Sequence, residues 1–253
     1  PVSWSAKAES LGNNLYEIVL TGEIEGLGRC IVRAYNASEG EVFYRTRAGE
    51  EVAFLKVDRK KMKEIRKEIQ MIFQDPYSSL DPRMTVLDII KEPLKANYPK
   101  MPKAEMDQKA KEMAEKVGLN PSYLMRYPHA FSGGQRQRIG IARALVVEPQ
   151  IIVCDEAVSA LDVSIQAQVI NLLRDLQKDL NLTYLFISHD LSVVEHISDK
   201  VGVMYLGRMV EFGESLDLSP PDRTEIFLNA SSPLKPNLAR SVLASVVPIS
   251  LLD

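Results

Sequence analysis

The stretch Phe131–Arg143, with the sequence FSGGQRQRIGIAR, constrains the fold most, because it joins a glycine-containing loop directly to a helix. After the glycines, apolar residues recur at helical spacing, at Ile139, Ile141, Ala142 and Leu145. The glycines allow a close backbone approach, the Ser132 hydroxyl can donate, and the positive end of the helix dipole points the same way. This helix start therefore suits an anion. A serine N-cap followed by an ordinary turn is the alternative interpretation.

Further motifs surround this stretch in a fixed order. Gln74 closes the apolar stretch Met71–Phe73, and after the glycine loop come Asp155 and Glu156, then SALD and ISHD, at Ser159–Asp162 and Ile187–Asp190. The two acids come after the apolar run Ile151–Cys154, which predicts a buried parallel strand with polar residues at its carboxyl end. Further strands are predicted over Leu15–Leu20, Tyr184–Ile187, Val201–Tyr205 and Met209–Phe212, and a helix over LGRCIVRAY, so strands alternate with helical patterns along the chain. That alternation predicts an α/β core with a largely parallel sheet.

This ordered series resembles the nucleotide-binding subunits of ABC transporters. In that resemblance Gln74 is the Q-loop residue and His189 is the switch histidine, and three segments correspond to the signature, the Walker B strand and the D-loop, namely SGGQ, IIVCDE and SALD. Longer stretches, such as FQDPYSSLDPRMT and RYPHAFSGGQRQRIGIARAL, are similar to the ATPase subunits of oligopeptide and dipeptide importers. The resemblance covers roughly Gly28–Gly213 well and the two ends poorly.

The resemblance implies an α/β fold: a P-loop NTPase-like ABC ATPase core, with a mostly parallel sheet and helices on both faces, and an inserted helical subdomain. The chain is expected to be a single ABC ATPase domain over 1–253. Its expected parts are 14–74 for the N-terminal part of the core, degraded at its start, 75–145 for the helical subdomain with the signature, 146–213 for the rest of the core, and 214–253 for a C-terminal extension. Prolines 76, 82, 93 and 99 predict loops and short helices in the subdomain, and an amphipathic helix is expected over Ala104–Val117. Tyr77–Met84 is the expected contact with membrane subunits, the alternative being a surface loop without a partner.

The resemblance also implies the roles of the site residues. Phosphoryl transfer from ATP to water depends on positioning and charge stabilisation. Asp155 and Gln74 would hold Mg²⁺, Glu156 would orient the attacking water, and Gln74 and His189 would sense the γ-phosphate. The remaining implied nucleotide-binding residues are Ser132, Gly133, Gly134, Gln135 and Asp162, with Asp155 shared between metal and nucleotide. The alternative for the two acids is a strand end reaching solvent, and for His189 a surface loop position.

The phosphate cradle of such sites, G-x-x-x-x-G-K-[ST], has no recognisable counterpart, since the sequence contains no Gly-Lys dipeptide. Where importers carry the cradle, before the LGRC at Leu27–Cys30, this chain has TGEIEG. Gly22-Glu23 is one candidate remnant, and the shifted alternative Gly26–Cys30 places Arg at the lysine position. Trp4 and Tyr16 are the candidates for stacking on adenine. Losing the lysine and several amides removes about 5 kcal/mol of phosphate binding, so we expect weak nucleotide binding by the chain alone.

Together these inferences predict an ATP-binding subunit that couples ATP binding and hydrolysis to peptide import, peripheral on the cytoplasmic face of the inner membrane. The implied partners are a second, different ATPase subunit in a head-to-tail dimer and membrane-spanning permease subunits. The alternative is a catalytically impaired subunit that lends its signature to that second subunit. A soluble ABC ATPase of DNA repair or translation and a damaged or truncated copy of a working gene are weaker alternatives.

Composition excludes several other classes. Hydrophobic residues make up 45% and charged residues 26%, which is ordinary for a globular chain, and the net charge of −3 gives no reason to expect a nucleic-acid partner. Cys30 and Cys154 are too few for an iron–sulfur cluster or a four-cysteine zinc site, and Cys154 is expected to be a buried thiol in a reducing compartment. We expect no membrane-crossing run and no signal peptide, and the start at Pro1 predicts a cut or processed beginning. The basic stretch Arg59–Lys67 is expected to be a solvated helix face.

Overall fold

Two groups of elements make up the part of the chain that the computed structural model describes, residues 43–53, 56–205, 208–214 and 242–247. The first unit is Asp58–Thr183, and the second is the described part of 1–57 and 184–253. In chain order the elements are β1 (Phe43–Arg45), β2 (Glu51–Ala53), α1 (Arg59–Glu68), β3 (Ile69–Ile72), α2 (Val86–Asn97), α3 (Lys103–Lys116), α4 (Gly133–Leu145), β4 (Ile151–Asp155), α5 (Val163–Leu180), β5 (Thr183–Ser188), α6 (Leu191–Ile197), β6 (Lys200–Tyr205), β7 (Arg208–Glu214) and β8 (Val242–Val247).

The first unit begins with the basic helix α1. The Asp58 side chain caps it by accepting from the Lys61 backbone N–H at 2.7 Å. Met62 and Ile65 are its buried residues, whereas its lysines and arginines are exposed or half-buried. This confirms the expectation of a solvated helix face, held down by a narrow apolar stripe.

Strands β3 and β4 form a parallel pair in which Ile69 is opposite Ile151 and Ile72 is opposite Cys154. The first four residues of β4 are buried, as expected for a strand covered on both faces. Backbone hydrogen bonds fix the start of β4. The Gln150 N–H donates to the Glu68 carbonyl at 2.8 Å, and the Gln150 carbonyl accepts from the Thr183 N–H at 2.9 Å. The parallel arrangement is confirmed for this pair.

Helices α2, α3 and α4 pack against one another, and α4 also packs on β3 and α5. The predicted apolar faces are confirmed: Ala110, Met113, Ala114 and Val117 are buried in and after α3, and Ile139, Ile141, Ala142 and Leu145 are buried in α4. Charged contacts join these helices as well. Buried Lys91 contacts Asp107 at 2.7 Å and Asp88 at 3.2 Å, and Arg138 donates to the Val117 carbonyl at 2.6 Å.

The sequence predicts that Pro93 interrupts the helical pattern. This prediction is wrong, because Pro93 lies inside the twelve-residue helix α2. A proline there removes the bond to the carbonyl one turn earlier, that of Ile89. The helix persists because Val86, Ile89, Ile90 and Leu94 are each almost completely buried. Tertiary burial on this scale outweighs a local cost of about 3 kcal/mol.

In the second unit, β1 and β2 form an antiparallel pair. Strand β8 pairs antiparallel with both β5 and β6, and β6 pairs antiparallel with β7. The strands predicted over Tyr184–Ile187, Val201–Tyr205 and Met209–Phe212 are therefore present, but the described pairs within this unit are antiparallel. Strand β8 comes from the predicted C-terminal extension, 214–253, for which the sequence analysis predicted no strand. Its sequence, VLASVV, is rich in the β-branched residues that suit strands.

Several predictions fall outside the described residues: the strand over Leu15–Leu20, the cradle candidates within 21–30, the helix over LGRCIVRAY, and the positions of Trp4 and Tyr16. Cys154 is described and is a buried free thiol, as expected. Among the described helices, none is both long and apolar enough to cross a membrane.

Candidate functional site

The carboxyl ends of β3 and β4 carry the first group of candidate residues. Because the two strands run parallel and end side by side, the residues after each strand emerge at the same edge. Gln74 lies just past β3, Asp155 ends β4, and Glu156 comes next. The Gln74 Nε2 donates a hydrogen bond to Glu156 Oε2, although the two residues are 82 positions apart. The structure thus brings together two of the predicted site residues and places Asp155 beside them.

Glu156 has an unusual backbone, with φ at 48° in the left-handed region. Non-glycine residues adopt this conformation rarely, and such residues concentrate at functional sites. The turn behind Glu156 holds it there, since its carbonyl accepts from the Ser159 N–H at 3.1 Å and from the Ser159 hydroxyl at 3.0 Å. The half-buried Glu156 carboxylate is thereby directed back towards Gln74.

The four residues of β4 that precede Asp155 are buried. Cys154 is fully buried, and burial, reinforced by the neighbouring Asp155 carboxylate, raises the pKa of its thiol far above the ordinary value. A thiol in that state is inert as a nucleophile. Asp155 itself is half-buried, so its carboxylate lies at the boundary between the core and solvent. The reactive groups at this end of β4 are therefore the carboxylates of Asp155 and Glu156 rather than the Cys154 thiol.

Ser132 is the N-cap of α4, and the four residues SGGQ form a complete capping box. The Gln135 N–H donates to Ser132 Oγ at 3.4 Å, and the Ser132 N–H donates to Gln135 Oε1 at 3.0 Å. Both side chains are exposed. The predicted loop-to-helix transition is confirmed. Ser132 is also an N-cap, as the alternative interpretation expects.

The two glycines of this motif face the loop that precedes α5. A β-carbon on Gly133 would lie 3.7 Å from Leu161 Cδ2 and 3.9 Å from the Tyr77 hydroxyl. A β-carbon on Gly134 would lie only 2.4 Å from Ile165 Cγ2, far inside the contact distance. The start of α4 therefore packs on the SALD loop and the first turn of α5 with no room for a side chain at Gly134.

The remaining candidates lie near these groups in sequence. Asp162 is the exposed N-cap of α5, and its side chain makes no capping hydrogen bond within the described structure. His189 belongs to the second unit, where it comes directly after β5 and is exposed. Asp190, the next residue, caps α6 by accepting from the Ser192 N–H at 3.0 Å. The roles of Asp162 and His189 remain predictions.

The sequence analysis missed two arginines of α4. Arg136 lies over the Tyr77 ring, 4.1 Å from its centroid, and Arg143 lies 5.9 Å from the centroid of Phe73. Arg143 also donates to the Ser79 carbonyl at 2.5 Å. Their spacing of seven residues, two helical turns, was the available signal, because it puts both side chains on the same face of α4.

The sequence profile of ABC transporters matches residues 26–159, more than half of the chain. The chain belongs to the ABC transporter family. Its relatives include the oligopeptide transport ATP-binding protein OppF of Bacillus subtilis, 53% identical over 215 residues that make up 85% of this chain. The dipeptide transport ATP-binding protein DppF of Lactococcus lactis is 54% identical over 191 residues, 75% of this chain.

This ABC family member is shorter than the curated relatives it matches. It spans 67% of that OppF and 60% of that DppF, and little more than half the length of several other relatives.

The fold of this ABC family member also matches a solved cassette. The ATP-binding cassette MJ0796, solved as a dimer in a post-hydrolysis state bound to ADP and Pi, aligns with a TM-score of 0.64 over 83% of this chain and 96% of that chain, at 24% identity. This likeness shows the α/β, P-loop NTPase-like fold of ABC ATPase cassettes, as predicted from the sequence.

Proposed function

We propose that the chain is the ATP-binding subunit of an ABC importer for oligopeptides or dipeptides, coupling ATP binding and hydrolysis to transport. The names of its relatives support the substrate class. The observation that carries the proposal is the bond from Gln74 to Glu156 beside Asp155, formed at the shared carboxyl edge of two parallel strands. An amide and two carboxylates at that edge are among the groups that phosphoryl transfer to water requires from the protein.

The chain's own residues fit part of an ATP–Mg²⁺ site. Within the described residues no group of three or more His, Cys, Asp or Glu side chains could hold a metal alone. Mg²⁺ commonly takes one or two carboxylates and completes its shell with phosphates and water, so Asp155 with Gln74 meets the protein's share. When bound, ATP supplies the phosphoryl group and Mg²⁺ neutralises its charge. In this proposal Glu156 orients and deprotonates the attacking water, and exposed His189 contacts the γ-phosphate.

The signature residues serve a second subunit. Ser132 and Gln135 are exposed at the positive end of a 13-residue helix, and half-buried Gly133 adds no side chain between them. In a head-to-tail pair this helix start, together with Asp162, would face nucleotide held by the partner. We propose a different ATPase subunit as that partner, permease subunits as the membrane components, and a peripheral position at the cytoplasmic face of the inner membrane.

The expected domain boundaries belong to the same proposal. Residues 75–145 would be the helical subdomain, inserted between core parts 14–74 and 146–213, with 214–253 as an extension. The mutual packing of α2, α3 and α4 supports the helical part. Tyr77–Met84 stays the proposed permease contact. In that segment Tyr77 is 60% exposed and Arg83 is exposed, whereas Leu80 is buried as an anchor.

A second candidate is a catalytically impaired subunit that lends its signature to the partner's site. The sequence itself favours it, because no Gly-Lys dipeptide exists anywhere in the chain to form a phosphate cradle. The loss of about 5 kcal/mol of phosphate contacts lowers affinity more than a thousandfold. On this candidate, one good nucleotide site per pair belongs to the partner's cradle and this chain's signature.

The test is ATP binding and turnover with Mg²⁺, for the chain alone and mixed with a cradle-containing partner subunit. Weak binding alone, with partner-dependent turnover that survives Glu156→Gln and is lost on Ser132→Arg, supports the signature-lending candidate. Tight binding and Glu156-dependent turnover by the chain alone support the first proposal's complete ATPase site and refute the signature-lending candidate. Absence of turnover in every mixture, with both chains folded, refutes both.

A further inference from the structure

The segment Phe73–Ser79, which carries Gln74, runs along one face of α4. Arg136 and Arg143 lie two turns apart on that face and contact the segment at separate points. The Arg136 guanidinium is 4.1 Å from the centroid of the Tyr77 ring. The Arg143 guanidinium lies over the Phe73 ring and donates a hydrogen bond to the Ser79 carbonyl oxygen. The segment is therefore attached to α4 on both sides of Gln74.

Both arginines also interact with groups outside the segment Phe73–Ser79. Arg136 Nε donates to the Pro128 carbonyl at 2.9 Å. Arg143 is half-buried, and this burial lowers the pKa of its guanidinium, while the Glu92 carboxylate partly offsets that change. A planar, rigid guanidinium can approach a ring and donate to a carbonyl in one fixed geometry, whereas a lysine ammonium is a point charge on a flexible stem. Arg143→Lys would therefore keep the charge but loosen the geometry of the two contacts.

The same segment reaches both halves of the candidate site. At one point Gln74 donates to Glu156 at the end of β4. At another the Tyr77 hydroxyl lies against Gly133, 3.9 Å from the place of a β-carbon, at the first residue of α4. The edge acids and the signature are thus joined through one short stretch of backbone and two arginine contacts.

We propose that Arg143, assisted by Arg136, is a positioning residue that couples the Gln74–Glu156 bond to the orientation of the signature residues Ser132–Gln135. When Gln74 leaves Glu156, the segment Phe73–Ser79 shifts, and the arginines transmit the shift to the start of α4. The functional meaning of this coupling rests on the proposed function. The coupling itself is a property of the first unit alone.

The test is a double-mutant cycle of Gln74→Ala with Arg143→Lys, measured by amide hydrogen exchange in the full chain without nucleotide. The readout is the Gln135 amide, whose N–H closes the capping box. We expect Gln74→Ala to raise its exchange about fivefold in the native background and to have almost no effect in the Arg143→Lys background. Equal effects of Gln74→Ala in both backgrounds would overturn the proposal, because a merely structural arginine gives additive changes.

Arg138→Lys is the matched control, because Arg138 lies on the same helix but donates to the Val117 carbonyl at the end of α3. It should leave the effect of Gln74→Ala at its full size, and loss of that effect would also refute the coupling. Should Arg143→Lys fail to fold, Tyr77→Ser replaces it in the cycle, since Tyr77 is 60% exposed and its loss removes the ring under Arg136. That cycle tests the same coupling through Arg136, and equal effects of Gln74→Ala in both backgrounds would overturn it.

Turnover of the mixed pair is the functional readout. Arg143→Lys should lower kcat about tenfold with KM for ATP unchanged, because the signature is misaligned while nucleotide contacts on the partner remain. An unchanged kcat with non-additive exchange would refute the functional meaning of the coupling. Absence of turnover in the native pair would instead refute the proposed function, while the exchange cycle would still decide the coupling.

Discussion

Replacing Gly134 by alanine should destabilise the chain, whereas the same replacement at Gly140 should stabilise it. Both glycines lie in α4, and in a helix alanine is favoured over glycine by about 0.5–1 kcal/mol. At Gly140 nothing lies within 4 Å of the added β-carbon, so this gain is realised. At Gly134 the added carbon would lie 2.4 Å from Ile165 Cγ2.

The overlap at Gly134 exceeds 1 Å relative to an ordinary carbon contact of about 3.5 Å. Ile165 is β-branched, and the methyl in question is attached directly to its β-carbon, so the clash cannot be relieved at the end of a flexible chain. Overpacking of this kind costs about 1–3 kcal/mol. Subtracting the helix-propensity gain leaves a net loss of about 1 kcal/mol in the free energy of unfolding, and at most about 2.5 kcal/mol.

The assay is urea unfolding of the two alanine variants, with Ile165→Ala and the Gly134→Ala, Ile165→Ala double variant. Removing the Ile165 methyl groups should recover most of the Gly134→Ala loss, giving a favourable coupling of about 1 kcal/mol or more in the cycle. Midpoint shifts of the same sign at Gly134 and Gly140, or additive losses in the double variant, would refute the steric argument.

Three further outcomes are expected from the described contacts. Asp107→Ala should lower the free energy of unfolding by about 2 kcal/mol, because it removes the nearer partner of buried Lys91, while Lys91→Met should be neutral to within about 1 kcal/mol; urea midpoints of the two variants check this. Asp88 has a pKa lowered to about 2, chiefly by the Thr85 hydroxyl and then by the lysines, so its stabilisation is present above the ordinary value of 3.8 and is lost as the pH falls from about 4 towards 2. Because that carboxylate is partly exposed, the loss should stay near about 1 kcal/mol. The check is the unfolding midpoint measured across the acid range, whose dependence on pH should be weaker in Asp88→Asn than in the native chain. Asn181 ends α5 with φ at 53°, so Asn181→Ala should cost about 1 kcal/mol in thermal unfolding and Asn181→Gly should cost little or nothing.

Periodicity predicted the buried faces well, because burial depends directly on apolar spacing. The faces of α3 and α4 and the buried strand β4 are where the sequence placed them. Local rules failed where tertiary contacts override them. Pro93 lies within a helix because its neighbours are buried. Strand β8 joins a sheet from a tail whose pattern alone gave no pairing partner.

The candidate site shows the same division. Motif order predicted Gln74, Glu156 and the signature as site residues, and the structure adds the hydrogen bond between the first two. Tyr77 was predicted only as a surface contact, yet its ring lies under Arg136 and its hydroxyl beside Gly133. Contacts of this kind depend on how a loop lies against a helix. Single-residue patterns do not encode that arrangement, although the seven-residue spacing of the arginines is consistent with it.

The capping box of α4 has a consequence for association. Ser132 and Gln135 already satisfy each other's hydrogen bonds in the free chain, so this surface keeps its shape without a neighbour. A second molecule that meets it finds a preorganised element and loses no conformational entropy in ordering it. Encounter is then governed by diffusion and orientation rather than by folding on contact. The helix start is ready for recognition before any complex exists.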